Sequence, residues 1–336
     1  MKKKWLIIPL VLIVVYLAGP QVKDPELELF LPEVPVDLTA LEQMILSRED
    51  TVTGIKADNQ ARIIWNNDTL RNKTPYAIVY LHGWSASYME GDPIHREIAE
   101  RYGFNLYLPR LYGHGIDVEN NFCDLTADKL LESAREALAI ARQLGDSVII
   151  MGTSTGGTLG LYLANAAPEI AGQILYSPNI RIYDKSAAIL DDPWGIQIAR
   201  LITGSSFHSW EAEGPRKQYW TTRYCLKSLG ELQALVDETM VESTFRSVTD
   251  PVFVGCYYKN DSLQDNTVSV EAIVDMYEQL GSEKKKLVRF PEVGHHVMAS
   301  SLTSHDLDAV RKETIQFLEK EMNLKPVNRE EAAPAR

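Results

Sequence analysis

Cysteine is scarce: the chain of 336 residues has only Cys123, Cys225 and Cys256. None stands in a CxxC pair or beside histidines at ligand spacing, so neither a zinc-site pattern nor a disulfide framework is indicated. Three buried or free thiols is the expectation, with a Cys123–Cys225 bridge as the alternative. Positive charge is also short. Lys and Arg number 34 against 46 Asp and Glu, a formal net charge of −12. Such a chain gains little from counterion release, which excludes nucleic-acid binding as a default. Repeats and low-complexity blocks are absent between the two ends. Hydrophobic residues at 45% and charged residues at 24% are ordinary globular values, which sets aside collagen, coiled coil and wholesale disorder. The length suits one large domain with insertions, or two modest ones.

Long apolar runs are few as well. The longest, Trp5 to Ala18, follows Lys2, Lys3 and Lys4 and precedes Gly19 and Pro20. A basic start and an apolar stretch are the grammar of an export signal. At about 14 residues the run is shorter than the roughly 20 of a relaxed spanning helix, which favours a cleaved peptide. Cleavage chemistry argues the other way, because a cut after Ala18 puts Tyr16 at the −3 position and a cut after Gly19 puts Pro20 just beyond the bond. The reading adopted for residues 1–20 is an uncleaved signal anchor, with a cleaved signal peptide as the alternative. The lysines then stay cytoplasmic and the rest of the chain lies outside that membrane, secreted or periplasmic if the signal is removed. Residues 21–50 read as a spacer and N-terminal extension, 51–322 as the main domain, and 323–336 as a flexible tail.

The main domain alternates short apolar runs with helical periodicity. The runs at 76–81, 104–109, 147–151, 172–176, 251–257 and 286–290 look like strands covered on both faces. Leu and Ala recur every three or four residues over 129–144, and 159–166, 270–280 and 306–321 behave likewise. The alternation predicts a mostly parallel sheet flanked by helices. Residues 180–248, rich in Trp, Tyr, Ser and Gly, break it and read as a cap of short helices.

Chemistry concentrates at Gly152-Thr153-Ser154-Thr155-Gly156-Gly157, directly after a strand and before a helix. That is a G-x-S-x-G turn in the context it requires. The turn holds the serine hydroxyl exposed in a strained backbone, and side chains at 152 and 156 would collide. It lacks the lysine of a phosphate loop and the spacing of a dinucleotide turn. His82-Gly83-Trp84 ends an earlier strand, where backbone N–H groups of Trp84 and Thr155 would form an oxyanion hole. An acid follows the strand at 251–257, at Asp261 or Asp265, and a base follows the last strand, at His295 or His296. The chain order is then Ser, Asp, His.

These segments, with Gly113-His114-Gly115, resemble the α/β-hydrolase family, specifically its carboxylesterase and monoacylglycerol-lipase-like members. The resemblance covers roughly residues 74–321. It implies an eight-stranded, mostly parallel α/β-hydrolase sheet with a helical cap, and a serine hydrolase cleaving carboxylic esters through an acyl-enzyme on Ser154, with no cofactor. The family's usual spacing prefers Asp265 over Asp261, because Val268 and a helix follow, and His296 over His295. The implied substrate is a small-molecule or lipid-like ester. A serine peptidase or acyltransferase uses the same triad, and a non-catalytic anchored binding protein of this fold is the rival from another class. His82 reads as a brace of the oxyanion loop, and His114 as a structural feature of its turn. Glu90, Asp92 and Arg96 read as helix-dipole residues, while Trp194, Trp210 and Trp220 are candidates for an acyl pocket or a small core of the cap.

Overall fold

The computed structural model describes residues 4–327; Met1 to Lys3 of the basic start and residues 328–336 of the tail lie outside the described residues. Strand–helix alternation folds as the expected layered sheet. Its strands are β1 (Arg62–Ile64), β2 (Thr74–Leu81), β3 (Asn105–Leu108), β4 (Gly145–Thr153) and β5 (Ile170–Tyr176). A cap contributes β6 (Phe207–Ser209) and β7 (Arg223–Cys225), after which β8 (Val252–Asn260), β9 (Leu263–Gln264) and β10 (Lys285–Phe290) return to the sheet. The sheet has eight strands in the order β1-β3-β2-β4-β5-β8-β10, with β9 paired to β8. All pairings are parallel except β1 with β3 and β9 with β8.

The helices are α1 (Lys4–Leu17), α2 (Leu38–Asp50), α3 (Ile94–Tyr102), α4 (Ala127–Leu144) and α5 (Thr155–Leu163). The cap adds α6 (Gly195–Thr203), α7 (Arg216–Tyr219), α8 (Lys227–Thr239) and α9 (Glu242–Ser247), and α10 (Val270–Gln279) and α11 (Leu307–Lys320) complete the chain. The continuous apolar strands follow from helices on both faces. Along β2, Ala77, Val79 and Leu81 pack with α4 and α5, while Ile78 and Tyr80 pack with α3 and α11. Successive strand side chains point to opposite faces, so both parities must be apolar. Two hydroxyl pairs cross the second layer, Tyr80 with Thr153 at 2.8 Å and Tyr176 with Thr314 at 2.7 Å, which satisfies polar groups that burial would otherwise penalise.

Three features depart from the sequence reading. The first is α2, which sits inside the stretch read as spacer and extension. Asp37 caps it by accepting from the Ala40 N–H at 2.8 Å, and it buries Leu41 and Ile45. Glu49 at its end forms a partly buried bidentate ion pair with Arg110, 2.8 and 3.0 Å, so this helix belongs to the folded body. The stretch before it is also docked, since the Glu28 carbonyl accepts from Arg135 at 2.7 Å and from Tyr162 at 2.5 Å. Second, the cap contains a two-stranded antiparallel ribbon, β6 with β7, beside its helices. Third, Cys123 and Cys225 are joined as a disulfide and only Cys256 is free. The loop before α4 meets β7, bringing the two Cα atoms to 4.9 Å although 102 residues separate them in sequence. Nothing in the spacing of those cysteines reports that approach. Closing so long a loop stabilises the fold by roughly 3–5 kcal/mol. Among the described residues no helix is long and apolar enough to cross a membrane; α1 has 14 residues.

Candidate active site

The carboxyl ends of the parallel strands converge on one cavity, where ligand sites of open α/β sheets form. Ser154 stands between β4 and α5 with φ 55° and ψ −121°, a left-handed conformation that costs a non-glycine residue free energy and holds its side chain off both elements. Its N–H donates to the Tyr176 carbonyl at 3.0 Å. A Cβ at Gly152 would lie 2.6 Å from the Gly156 backbone, and one at Gly156 would overlap the Leu81 carbonyl. Both glycines are therefore demanded by close approach.

The loop after β10 delivers His296, and the turn after β9 delivers Asp265. His296 Nδ1–H donates to Asp265 Oδ2 at 2.6 Å. The other carboxylate oxygen of Asp265 accepts from the N–H groups of Thr267 and Val268 at 2.9 and 3.1 Å. Burial alone would raise the Asp265 carboxyl, but His296 and those two N–H groups hold it below its ordinary value. Burial is likewise the largest influence on His296 and disfavours its charged form. Asp265 and then Glu90 outweigh it, so the imidazole is more basic than usual. Its Nε2 is buried without a hydrogen-bond partner and lines the same cavity as Ser154.

The alternatives fall elsewhere. Asp261 is exposed on the turn between β8 and β9 and accepts from the Tyr258 hydroxyl at 2.6 Å. His295 lines the cavity, but its Nδ1 accepts from the Val297 N–H at 3.0 Å. Burial, followed by Arg216 and His296, pushes its pKa down to about 4. Trp84 and Thr155 both line the cavity; Thr155 opens α5, where a backbone N–H has no intrahelical acceptor. His82 braces the loop after β2: its Nε2 accepts from the Leu111 N–H at 3.2 Å, and its ring lies 4.9 Å from that of His114. Gly113 and Gly115 flank His114 with φ 72° and 65°, which is why that turn needs glycine.

Glu90 departs from its sequence reading. Rather than serving a helix dipole, its buried carboxylate accepts from the Gly83 N–H at 2.5 Å and faces the cavity. Burial raises its pKa to about 7, against the lowering influence of Gly83, His296 and Arg216. Asp92 and Arg96 pair with each other at 2.5 Å. Arg216, from the cap, also went unnoticed in the sequence. A carboxyl placed by a short 3₁₀ turn and an arginine carried in from an insertion leave no periodic signal. The cavity measures about 460 Å³, and Trp210 and Trp220 form part of its wall; Trp194 instead donates its indole N–H to the Val15 carbonyl at 3.0 Å. The apolar surfaces of Ile182, Leu229, Leu232 and Val268 line it as well. Among the described residues no group of His, Cys, Asp and Glu is placed to hold a metal ion.

Comparison with known proteins agrees with this architecture. A family model described as the alpha/beta hydrolase family matches residues 78–312. A thermostable monoacylglycerol lipase of Bacillus sp. (strain H-257) is 32% identical over 102 residues, 29% of this chain. The match spans only 38% of that relative's length. Among solved structures, one of LipS and LipT, two metagenome-derived lipolytic enzymes, superposes with a TM-score of 0.62 at 18% identity, covering 79% of this chain and 99% of the other. The monoacylglycerol lipase of Paleococcus ferrophilus gives 0.54 at 15% identity, covering 77% and 97%.

Proposed function

The chain belongs to the alpha/beta hydrolase family, and from that premise we propose that it is a serine hydrolase cleaving carboxylic esters through an acyl-enzyme on Ser154. The observation that carries the reading is the Asp265–His296 hydrogen bond, with His296 and the strained Ser154 turn lining one cavity. His296 Nε2 takes the proton of Ser154 as its oxygen bonds to the ester carbon. The carbonyl electron pair moves to an oxyanion held by the N–H groups of Trp84 and Thr155, each donor contributing a few kcal/mol. Collapse expels the alcohol, which leaves with the proton from His296. Water then adds by the same route and releases the acid, restoring Ser154. Asp265 fixes the imidazole tautomer and stabilises the imidazolium. The lipolytic relatives and the aliphatic and aromatic wall support an ester with an apolar portion. A panel of p-nitrophenyl esters with acyl chains from two to sixteen carbons tests this, and turnover of none of them contradicts it.

Glu90 is a positioning residue in this scheme. Its carboxylate stabilises a protonated His296 and so raises the pH at which the base becomes available. Glu90→Gln removes that charge, so the acid limb of the kcat/KM profile is expected to move to lower pH. The maximal kcat falls about tenfold, because the Gly83 loop loses its charged acceptor. An acid limb that does not move contradicts this role.

The enzyme is further proposed to act outside the cytoplasm, held at the membrane by its amino-terminal apolar segment. Three observations support this: Lys2 to Lys4 ahead of Trp5 to Ala18, a disulfide of the kind that persists in oxidising compartments, and exposed Leu201 and Ile202 on α6, whose preceding residue Trp194 contacts the segment. A chain of net charge −12 gains nothing from anionic headgroups, which makes a tether useful. Mass spectrometry of the mature amino terminus decides the matter. A chain starting after Ala18 or Gly19 removes the anchor, whereas activity that sediments with membranes until detergent is added supports it.

A further inference from the structure

Arg216 lines the same cavity as Ser154. It opens α7 in the cap, and its guanidinium lies 5.6 Å from the Trp210 ring and 5.4 Å from the Trp220 ring. Both rings contact the cation, and its N–H donors remain the part able to meet a ligand. Its Nε is buried and makes no hydrogen bond, and among the described residues no carboxylate forms an ion pair with it. The one acid in the cavity wall, Glu90, is committed to the Gly83 N–H. The cap is fixed here rather than loosely placed: the Thr221 N–H donates to the Ser85 carbonyl at 2.6 Å, and Lys56 donates to the Trp220 carbonyl at 2.6 Å. Arg216 is thus a preorganised, partly desolvated cation without a direct ion-pair partner among the described residues, in a wall that joins apolar Leu229 and Leu232 to polar His295 and Glu90.

An unpaired buried donor is costly unless a ligand answers it. A guanidinium edge is matched bidentately by an oxyanion. We infer that the substrate is an ester that also carries a carboxylate, held by Arg216 at the cap end of the cavity while its ester carbonyl lies over Ser154. Half-esters of dicarboxylic acids and esters of hydroxy acids are the two classes that fit, with the acid on the acyl or on the alcohol side. The inference rests on the ester-hydrolase reading and narrows its substrate.

The test compares isosteric pairs. On the acyl side the pair is p-nitrophenyl hydrogen glutarate against p-nitrophenyl valerate, and on the alcohol side 4-acetoxybenzoate against its methyl ester. The native enzyme is expected to favour the acid of one pair by about tenfold or more in kcat/KM, as sites built to pair a polar group reject analogues lacking it. Arg216→Met collapses that ratio toward one, and Arg216→Lys keeps part of it. Binding of monomethyl glutarate against methyl valerate, measured by calorimetry on the Ser154→Ala variant, reads the anion contact without turnover. Thus if no ester is hydrolysed but monomethyl glutarate binds more tightly and loses that advantage in the Ser154→Ala/Arg216→Met double variant, the ester reading fails and the anion site stands. The inference is overturned if neither acid is preferred by the native enzyme and monomethyl glutarate shows no advantage in binding, or if the advantage survives Arg216→Met.

Discussion

Ser154→Ala is expected to lose ester hydrolysis by about 10⁴- to 10⁶-fold, the range seen when a triad nucleophile is removed. The geometry gives the reason. Ser154 alone occupies the strained turn between β4 and α5, with φ 55°, and among its immediate neighbours Thr153 is already committed to Tyr80 at 2.8 Å. The variant should fold and melt as the native chain does, because alanine removes only the hydroxyl and a serine at positive φ gains little from it. Stopped assays on p-nitrophenyl butyrate with circular dichroism on the same sample check both halves. Residual turnover within tenfold of the native rate would place the nucleophile elsewhere.

The second large effect is expected at Asp265 rather than Asp261. Asp265→Asn keeps the side-chain shape but reverses the polarity of one oxygen, so His296 loses the acceptor at 2.6 Å that sets its tautomer. An amide there presents a donor or a weaker acceptor to Nδ1 and turns the wrong nitrogen toward Ser154. The expected loss in kcat is about 10³- to 10⁴-fold. It should come with little change in KM, because the carboxylate touches the histidine and not the substrate. Asp261→Asn, whose partner is the exposed Tyr258 hydroxyl, should leave kcat within about twofold, as surface substitutions do. A reversal of these two outcomes would move the acid to Asp261.

How far this was legible in the sequence varied with the physics of each element. The six apolar runs announced themselves, since a strand buried on both faces such as β2 must be apolar at both parities, and even the partly exposed edge strand β10 carries one. β1 was missed because three residues of edge strand, Arg62 to Ile64, carry no periodicity. The cap ribbon was missed for the same reason, its strands being three residues each. The helix α2 was hidden by its charged composition and by proline-rich neighbours; what places it is the Arg110–Glu49 pair, a contact across 61 residues. At the site, the serine turn was legible because glycine at 152 and 156 answers a local steric demand. The choice between neighbouring acids and between neighbouring histidines was legible only through the spacing of the resembled family, because the residues by themselves do not encode which side chain reaches across 31 residues to form the 2.6 Å bond. Glu90 and Arg216 belong to the same class. Each acquires its meaning from a cavity wall assembled by distant segments, as does the disulfide that joins Cys123 to Cys225.

The central claim is that Ser154 becomes covalently bound during turnover, and active-site labelling tests it most directly. The native protein is treated with a fluorophosphonate and digested, and the modified peptide is located by tandem mass spectrometry. The account predicts one adduct, on Ser154, formed in parallel with loss of esterase activity and abolished in the Ser154→Ala variant. It also predicts slow labelling when His296 is replaced by alanine, since the hydroxyl then lacks its base. An adduct on another residue, or steady ester turnover by protein that never acquires one, would contradict it.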